Sequence, residues 1–149
     1  MESANIVLTG KQQVELVREE APRAPEGGLL VRTRTSLIST GTECICYRSE
    51  MDEGSHWAGW VKYPFYLGYS NVGEVVELGA GVEGYAVGDR VFSTASHRQY
   101  AQVGGGAVKI PESVSDESAA WSKLATIAQT GVRRAELVMG ARVVIVGAG

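Results

Sequence analysis

From Ile6 to Ile110 the chain reads as short strand-like segments separated by glycine turns, a rhythm that points to a small β-barrel. The candidate strands are Ile6 to Leu8, Val14 to Arg18, Leu29 to Leu37, Val72 to Leu78, Arg90 to Ser93, Gln99 to Val103 and Val108 to Ile110. Turns are expected at Gly79-Ala80-Gly81, Gly88-Asp89 and Gly104-Gly105-Gly106. In the third segment Val31, Thr33, Thr35 and Leu37 share one face and Arg32 and Arg34 the other, the pattern of a half-buried antiparallel strand. With 149 residues, 44% of them hydrophobic, there is enough material for one compact domain and a little more.

The balance of charge excludes several classes. A net charge of -3 with interspersed signs gives no basic stripe for phosphate contacts, so no nucleic-acid partner is expected. No run of about 18 apolar residues exists, and Met1-Glu2-Ser3-Ala4-Asn5 lacks a basic region followed by an apolar one. The expectation is a cytoplasmic protein with no membrane partner. Cys44 and Cys46 are too close in sequence for an ordinary disulfide and too few for a closed zinc site, so they read as free thiols.

After Pro111 the period becomes helical. Ser115 is a plausible N-cap, Asp116 and Glu117 suit the first turn, and Leu124, Ile127, Ala128, Ala135 and Val138 form a stripe expected to be buried. Arg133 and Arg134 read as the solvated side, and Gly140 as the stop. Arg142 to Val146 then read as a buried strand, and Gly147-Ala148-Gly149 matches the opening of a G-x-G-x-x-G dinucleotide fingerprint or an ordinary glycine turn. The organisation is a β-rich unit over 1–114, a helical connector over 115–139, and one strand with its glycine turn over 140–149.

Several segments occur together in a specific order: Ser39-Thr40-Gly41-Thr42-Glu43, Leu67 to Val76, Val87-Gly88-Asp89-Arg90-Val91, Val108-Lys109-Ile110-Pro111 and Val143 to Gly149. In this the whole chain resembles the medium-chain dehydrogenases and reductases. Ile38 to Glu43 with Gly68-Tyr69-Ser70 most resembles the zinc-lacking subgroup around 2-desacetyl-2-hydroxyethyl bacteriochlorophyllide dehydrogenase. The resemblance implies a mainly β fold with α: a GroES-like, partly open β-barrel, connector helices, and the first strand of a truncated Rossmann domain. It also implies NAD or NADP as cofactor, a small-molecule substrate, and a homodimer in the longer protein.

Zinc-dependent members place three metal ligands where this chain carries Thr40, Tyr69 and, across the connector, Ser122, and none of these is a competent zinc ligand at neutral pH. The acidic position after the family histidine is Ser70, and no four-cysteine lobe is present. No metal is expected, and neither His56 nor His97 occupies a family metal position. Hydride transfer to a carbonyl still needs a proton donor and hydrogen bonds to the oxyanion. The resemblance gives that role to Thr42, with Tyr69 and Thr40 beside it; the alternatives are helix capping by the threonines and simple packing of Tyr69. Ile45 stands where a relay histidine sits in alcohol dehydrogenases, so the proton route must differ. For the cofactor the resemblance points to Gly147, Gly149 and Thr126.

Six of the eleven aromatic residues fall between Trp57 and Tyr69. Such a wall suits a large, flat or apolar substrate, and equally a cluster that covers the barrel mouth or a subunit contact. A second functional reading is a stand-alone GroES-like binding or assembly module. The terminal strand argues against it, because a closed barrel has no use for Val143 to Val146 and would leave them as an exposed edge.

Overall fold

The computed structural model describes residues 1–147. The strands are β1 (Glu2–Gly10), β2 (Gln13–Glu20), β3 (Leu29–Ser36), β4 (Phe65–Tyr66), β5 (Asn71–Leu78), β6 (Arg90–Ser93), β7 (Tyr100–Val103) and β8 (Val108–Lys109). The helices are α1 (Thr40–Arg48), α2 (His56–Trp60), α3 (Asp116–Ala120) and α4 (Ser122–Arg134). All seven expected strands of the barrel region form, within a residue or two of their expected ends for most. The additions, α2 and β4, fall in the aromatic run, where crowding of large side chains hides the period.

Pairing is antiparallel throughout, in a three-stranded sheet β2-β1-β4 and a five-stranded sheet β7-β3-β5-β6-β8, which do not close into a continuous barrel. The two sheets meet along the segment before β7. Ile6 donates its N–H to the His97 carbonyl (3.0 Å), Gln99 to the Ala4 carbonyl (2.9 Å) and Thr33 to the Gln99 carbonyl (2.9 Å), so residues 97–99 are shared between β1 and β3. Beside this seam the β3–β5 pair is unusually close at Gly73, where an added Cβ would lie 2.5 Å from the Arg32 carbonyl oxygen. Only glycine lets the strands approach so far.

Three apolar clusters fill the molecule. Leu29, Val31, Val75, Val91, Ala101 and Val103 pack inside the larger sheet. Leu8, Cys46, Val61 and Leu67 pack under α1, with Trp57, Tyr63 and Phe65 against them. The aromatic run therefore closes one end of the core, and Trp60 meets Phe65 edge to face at 5.1 Å. The third cluster holds α3 to the sheet through Val72, Ala119 and Ala120. Ser115 caps α3 as expected, accepting from the Ser118 N–H at 3.2 Å. Asp116 then bridges Arg34 (2.7 Å) and Arg90 (3.2 Å), pinning the helix start to β3 and β6.

Beyond α3 the expectations need correcting. The connector is a pair of helices meeting at Trp121, but α4 ends at Arg134 rather than at Gly140, with Glu136 at a positive φ. The stripe expected to be buried is not: Ile127 is 54% exposed and Val138 75%, and Ala128 and Ala135 are exposed too, with only Leu124 half-buried. Nor do Val143 to Val146 form a strand; Val144 is 86% exposed. An apolar stripe or a parallel strand states a demand for a neighbour, and among the described residues no element lies against either. Also among the described residues, no helix is long and apolar enough to cross a membrane.

One electrostatic cluster ties the small sheet together. The Glu19 carboxylate accepts from Asn5 Nδ2 (2.7 Å) and from the Tyr66 hydroxyl, and the Arg98 guanidinium lies 3.6 Å above the Tyr66 ring. These hydrogen bonds, Tyr66 first and Asn5 second, hold the Glu19 carboxyl below the usual range. A carboxyl whose pKa falls on folding stabilises the protein above its unfolded pKa of about 4.3, and that contribution disappears as the pH falls through the lower folded value. We expect Glu19→Gln to lower the melting temperature at neutral pH, with the gap to the parent closing in acid. A gap that stayed constant from neutral pH to strong acid would contradict this.

Candidate active site

The site grows from the start of α1. Ser39 is the N-cap, but its side chain makes no capping bond; instead Glu43 reaches back and accepts the Ser39 N–H at 3.0 Å. A carboxylate in the first turn also complements the helix dipole. Glu43 thus contributes the carboxylate to this helix start, and the alternative that Thr40 and Thr42 cap the helix is not met: Ser39 is the N-cap and both threonines lie inside the first turn. Ser39 Oγ is left free to accept the Tyr69 hydroxyl.

The second oxygen of Glu43 lies 2.9 Å from His97 Nε2, and His97 Nδ1 lies 2.8 Å from Ser36 Oγ. These groups are deeply placed, the side chains of Glu43 and His97 being 4% and 8% exposed. As a carboxylate Glu43 only accepts, so Nε2 carries a hydrogen and donates to it. The imidazole is fixed from the other side by Gly68. This residue has φ +103, and a Cβ added to it would lie 2.8 Å from the ring. The His97 backbone N–H also bonds the Leu67 carbonyl at 2.8 Å.

His97 and Glu43 form one wall of a cavity of about 350 Å³. Ser36 contributes a third polar group, and Leu8 and Leu67 the buried apolar floor. The rim is apolar yet exposed, made by Ile6, Val14, Ile38 and Tyr47. Cys44 lines it as well, while Cys46 is buried beneath α1. Both thiols are free, and burial, then the nearby Glu43 charge, push Cys46 up from the usual thiol range.

The residues singled out in the sequence are only partly brought together. Tyr69 is half-buried and joined through Ser39 to the start of α1, where Thr42 is half-buried and Thr40 exposed. Ser70, in the former acidic position, donates to the Ala120 carbonyl and so ties the start of β5 to α3. Ser122 and Thr126 lie apart from these, on a separate cavity of about 400 Å³ beside Phe92 and Ile110, and the Thr126 hydroxyl donates to the Ser122 carbonyl at 2.8 Å. Gly147 has φ +82, as a tight glycine turn requires, whereas Gly149 lies outside the described residues. Among the described residues, no group of three or more His, Cys, Asp or Glu is placed to hold a metal ion.

Sequence reasoning missed Ser36, Glu43 and His97 as a unit. Their one local signal was an acid in the first turn of α1; the rest depends on a contact 54 positions apart in sequence.

The comparisons with known proteins agree with this architecture. Residues 26–108 match the alcohol dehydrogenase GroES-like domain. Acryloyl-coenzyme A reductase of Metallosphaera sedula is 28% identical over 96% of this chain and 51% of its own length. The 2-desacetyl-2-hydroxyethyl bacteriochlorophyllide A dehydrogenase of Cereibacter sphaeroides is 34% identical over 65% of this chain and 29% of its own. In fold the chain is similar to a short chain alcohol dehydrogenase from E. coli solved with NADH, with TM-score 0.76, 22% identity, and coverage of 91% of this chain and 46% of that one. The chain thus spans about half the length of these relatives, or less. With the family domain matched over more than half of its residues and the partly open β architecture in place, the chain belongs to the alcohol dehydrogenase GroES-like family, within the medium-chain dehydrogenases and reductases.

Proposed function

We propose that this chain is the catalytic barrel of a zinc-independent oxidoreductase of the cytoplasm, moving a hydride between NAD or NADP and a small alcohol, carbonyl or enone. The observation that carries this reading is the Tyr69 hydroxyl, at the position of a family metal ligand, held by Ser39 at the N-terminus of α1. A hydroxyl there, with Thr40 in place of the first ligand and Ser122 of the third, suits hydrogen bonding to a substrate oxygen and not zinc ligation.

Thr42 holds the substrate oxygen from the first turn of α1, where the helix dipole favours developing negative charge. Tyr69 orients that oxygen or donates a proton to it, with Thr40 at the same helix end. Gly147, Gly149 and Thr126 are the residues of this chain that would meet the dinucleotide; the positive φ of Gly147 fits a turn that lets backbone approach a pyrophosphate. When bound, nicotinamide supplies or accepts the hydride. The longer protein would supply the rest of that pocket and any dimer contact.

The test uses this chain together with its dinucleotide-binding half. Thr42→Val and Tyr69→Phe should each slow hydride transfer by about ten- to a thousandfold, read from single-turnover oxidation of NADH or NADPH. Elemental analysis of the same preparation should find zinc far below one per chain. Full activity in both variants, or stoichiometric zinc, would defeat the reading.

A further inference from the structure

The cavity over His97 plays no part in the roles given to Thr42 and Tyr69, yet it is the more completely built site. Three polar groups from three different elements converge on it: Ser36 at the end of β3, Glu43 in α1, and His97, far along the chain, on the seam between the sheets. The imidazole is held from three directions, by Glu43, by Ser36, and by a glycine whose conformation and contacts admit no side chain. Gly68 directly precedes Tyr69, so an imidazole supplied from another segment sits one residue from the position where relatives carry their histidine.

We propose that this cavity binds a compact, apolar alcohol or carbonyl compound at a site separate from the one given to Thr42 and Tyr69, its oxygen on Ser36 Oγ, whose hydrogen-bonding sense is set by His97 and Glu43. Hydrogen-bond bookkeeping supports this. When His97 carries both ring hydrogens, Nε2 donates to Glu43 and Nδ1 to Ser36, which frees the Ser36 hydroxyl to donate to a carbonyl oxygen. When His97 is neutral with its hydrogen on Nε2, Nδ1 accepts from Ser36 instead, and Ser36 Oγ can accept from the hydroxyl of an alcohol. Glu43 orients the ring throughout and keeps its place as the α1 cap. Cys44 and Tyr47 are the other titratable groups on the walls, and Cys46 lies beside Glu43.

Size sets the class of ligand. About 350 Å³ is near the small end of ligand pockets, which run from about 300 to 1,000 Å³. A six-membered ring or short branched chain fits; a tetrapyrrole does not. The walls match, since Leu8 and Leu67 face the ligand while Ile6, Val14 and Ile38 expose apolar surface around the mouth. As a binding site the proposal stands without the oxidoreductase reading.

The chain contains two histidines, which makes the test direct. Imidazole proton resonances of the whole chain are followed by NMR during titration with cyclohexanone, with exposed His56 on α2 as internal reference. His97 should move saturably, with a Kd on the order of millimolar, and His56 should stay still. Ser36→Ala should weaken cyclohexanone about tenfold and leave the oxygen-free isostere methylenecyclohexane unchanged. Gly68→Ala should abolish the His97 response.

A silent His97, equal movement of both histidines, tighter response to a water-soluble porphyrin than to cyclohexanone, or equal ketone binding by Ser36→Ala would each overturn the proposal. Ketone binding at His97 without hydride transfer in the longer protein would sink the oxidoreductase reading alone. Hydride transfer to ketones with an unresponsive His97 would sink this one alone.

Discussion

Glu43 places a carboxylate where water scarcely reaches, and a buried carboxylate is tolerable only if its oxygens are hydrogen-bonded. Its two partners come from different levels of the structure. One oxygen takes the Ser39 N–H and so starts α1; the other meets His97, whose backbone is shared with β1 and whose ring rests on Gly68. Because both demands fall on one side chain, the helix start, the seam between the sheets and the turn carrying Tyr69 are fixed relative to one another. The Ser39 hydroxyl makes no capping bond of its own and accepts from Tyr69 instead.

That arrangement bears on how a barrel of this family can work at positions where relatives hold a metal. On the proposed reading, hydroxyls at Thr40 and Tyr69 would offer hydrogen bonds where zinc-dependent relatives use a Lewis acid, since preorganised donors can stabilise a developing oxyanion. The imidazole of His97, hydrogen-bonded at both ring nitrogens, adds a fixed polar group to the wall of an apolar cavity nearby.

Much of the fold was legible because antiparallel strands write their burial as a period of two. Val31 and Thr33 against Arg32 and Arg34 announced β3, and the glycine turns bounded its neighbours. The family motifs singled out Thr40, Thr42 and Tyr69, of which the structure joins Tyr69 to the start of α1 through Ser39. What stayed hidden was non-local. Nothing around His97 in sequence distinguishes it from a loop residue, since its partners are Ser36 and Glu43, and Gly68 reveals its purpose only through the ring packed against it. The terminal expectations failed for the opposite reason. Ile127, Val138 and Val144 carry the right pattern for burial, but pattern names a face and not the element that covers it.

The central claim is that Glu43 and His97 act as one unit, and a double-mutant cycle measures this most directly. Glu43→Gln, His97→Gln and the double variant would be unfolded by denaturant alongside the parent. The buried hydrogen bond implies a coupling of about 1–3 kcal/mol, so that the second substitution costs much less once the first is made. Additive effects, within about 0.5 kcal/mol, would show that the two side chains are neighbours without being partners.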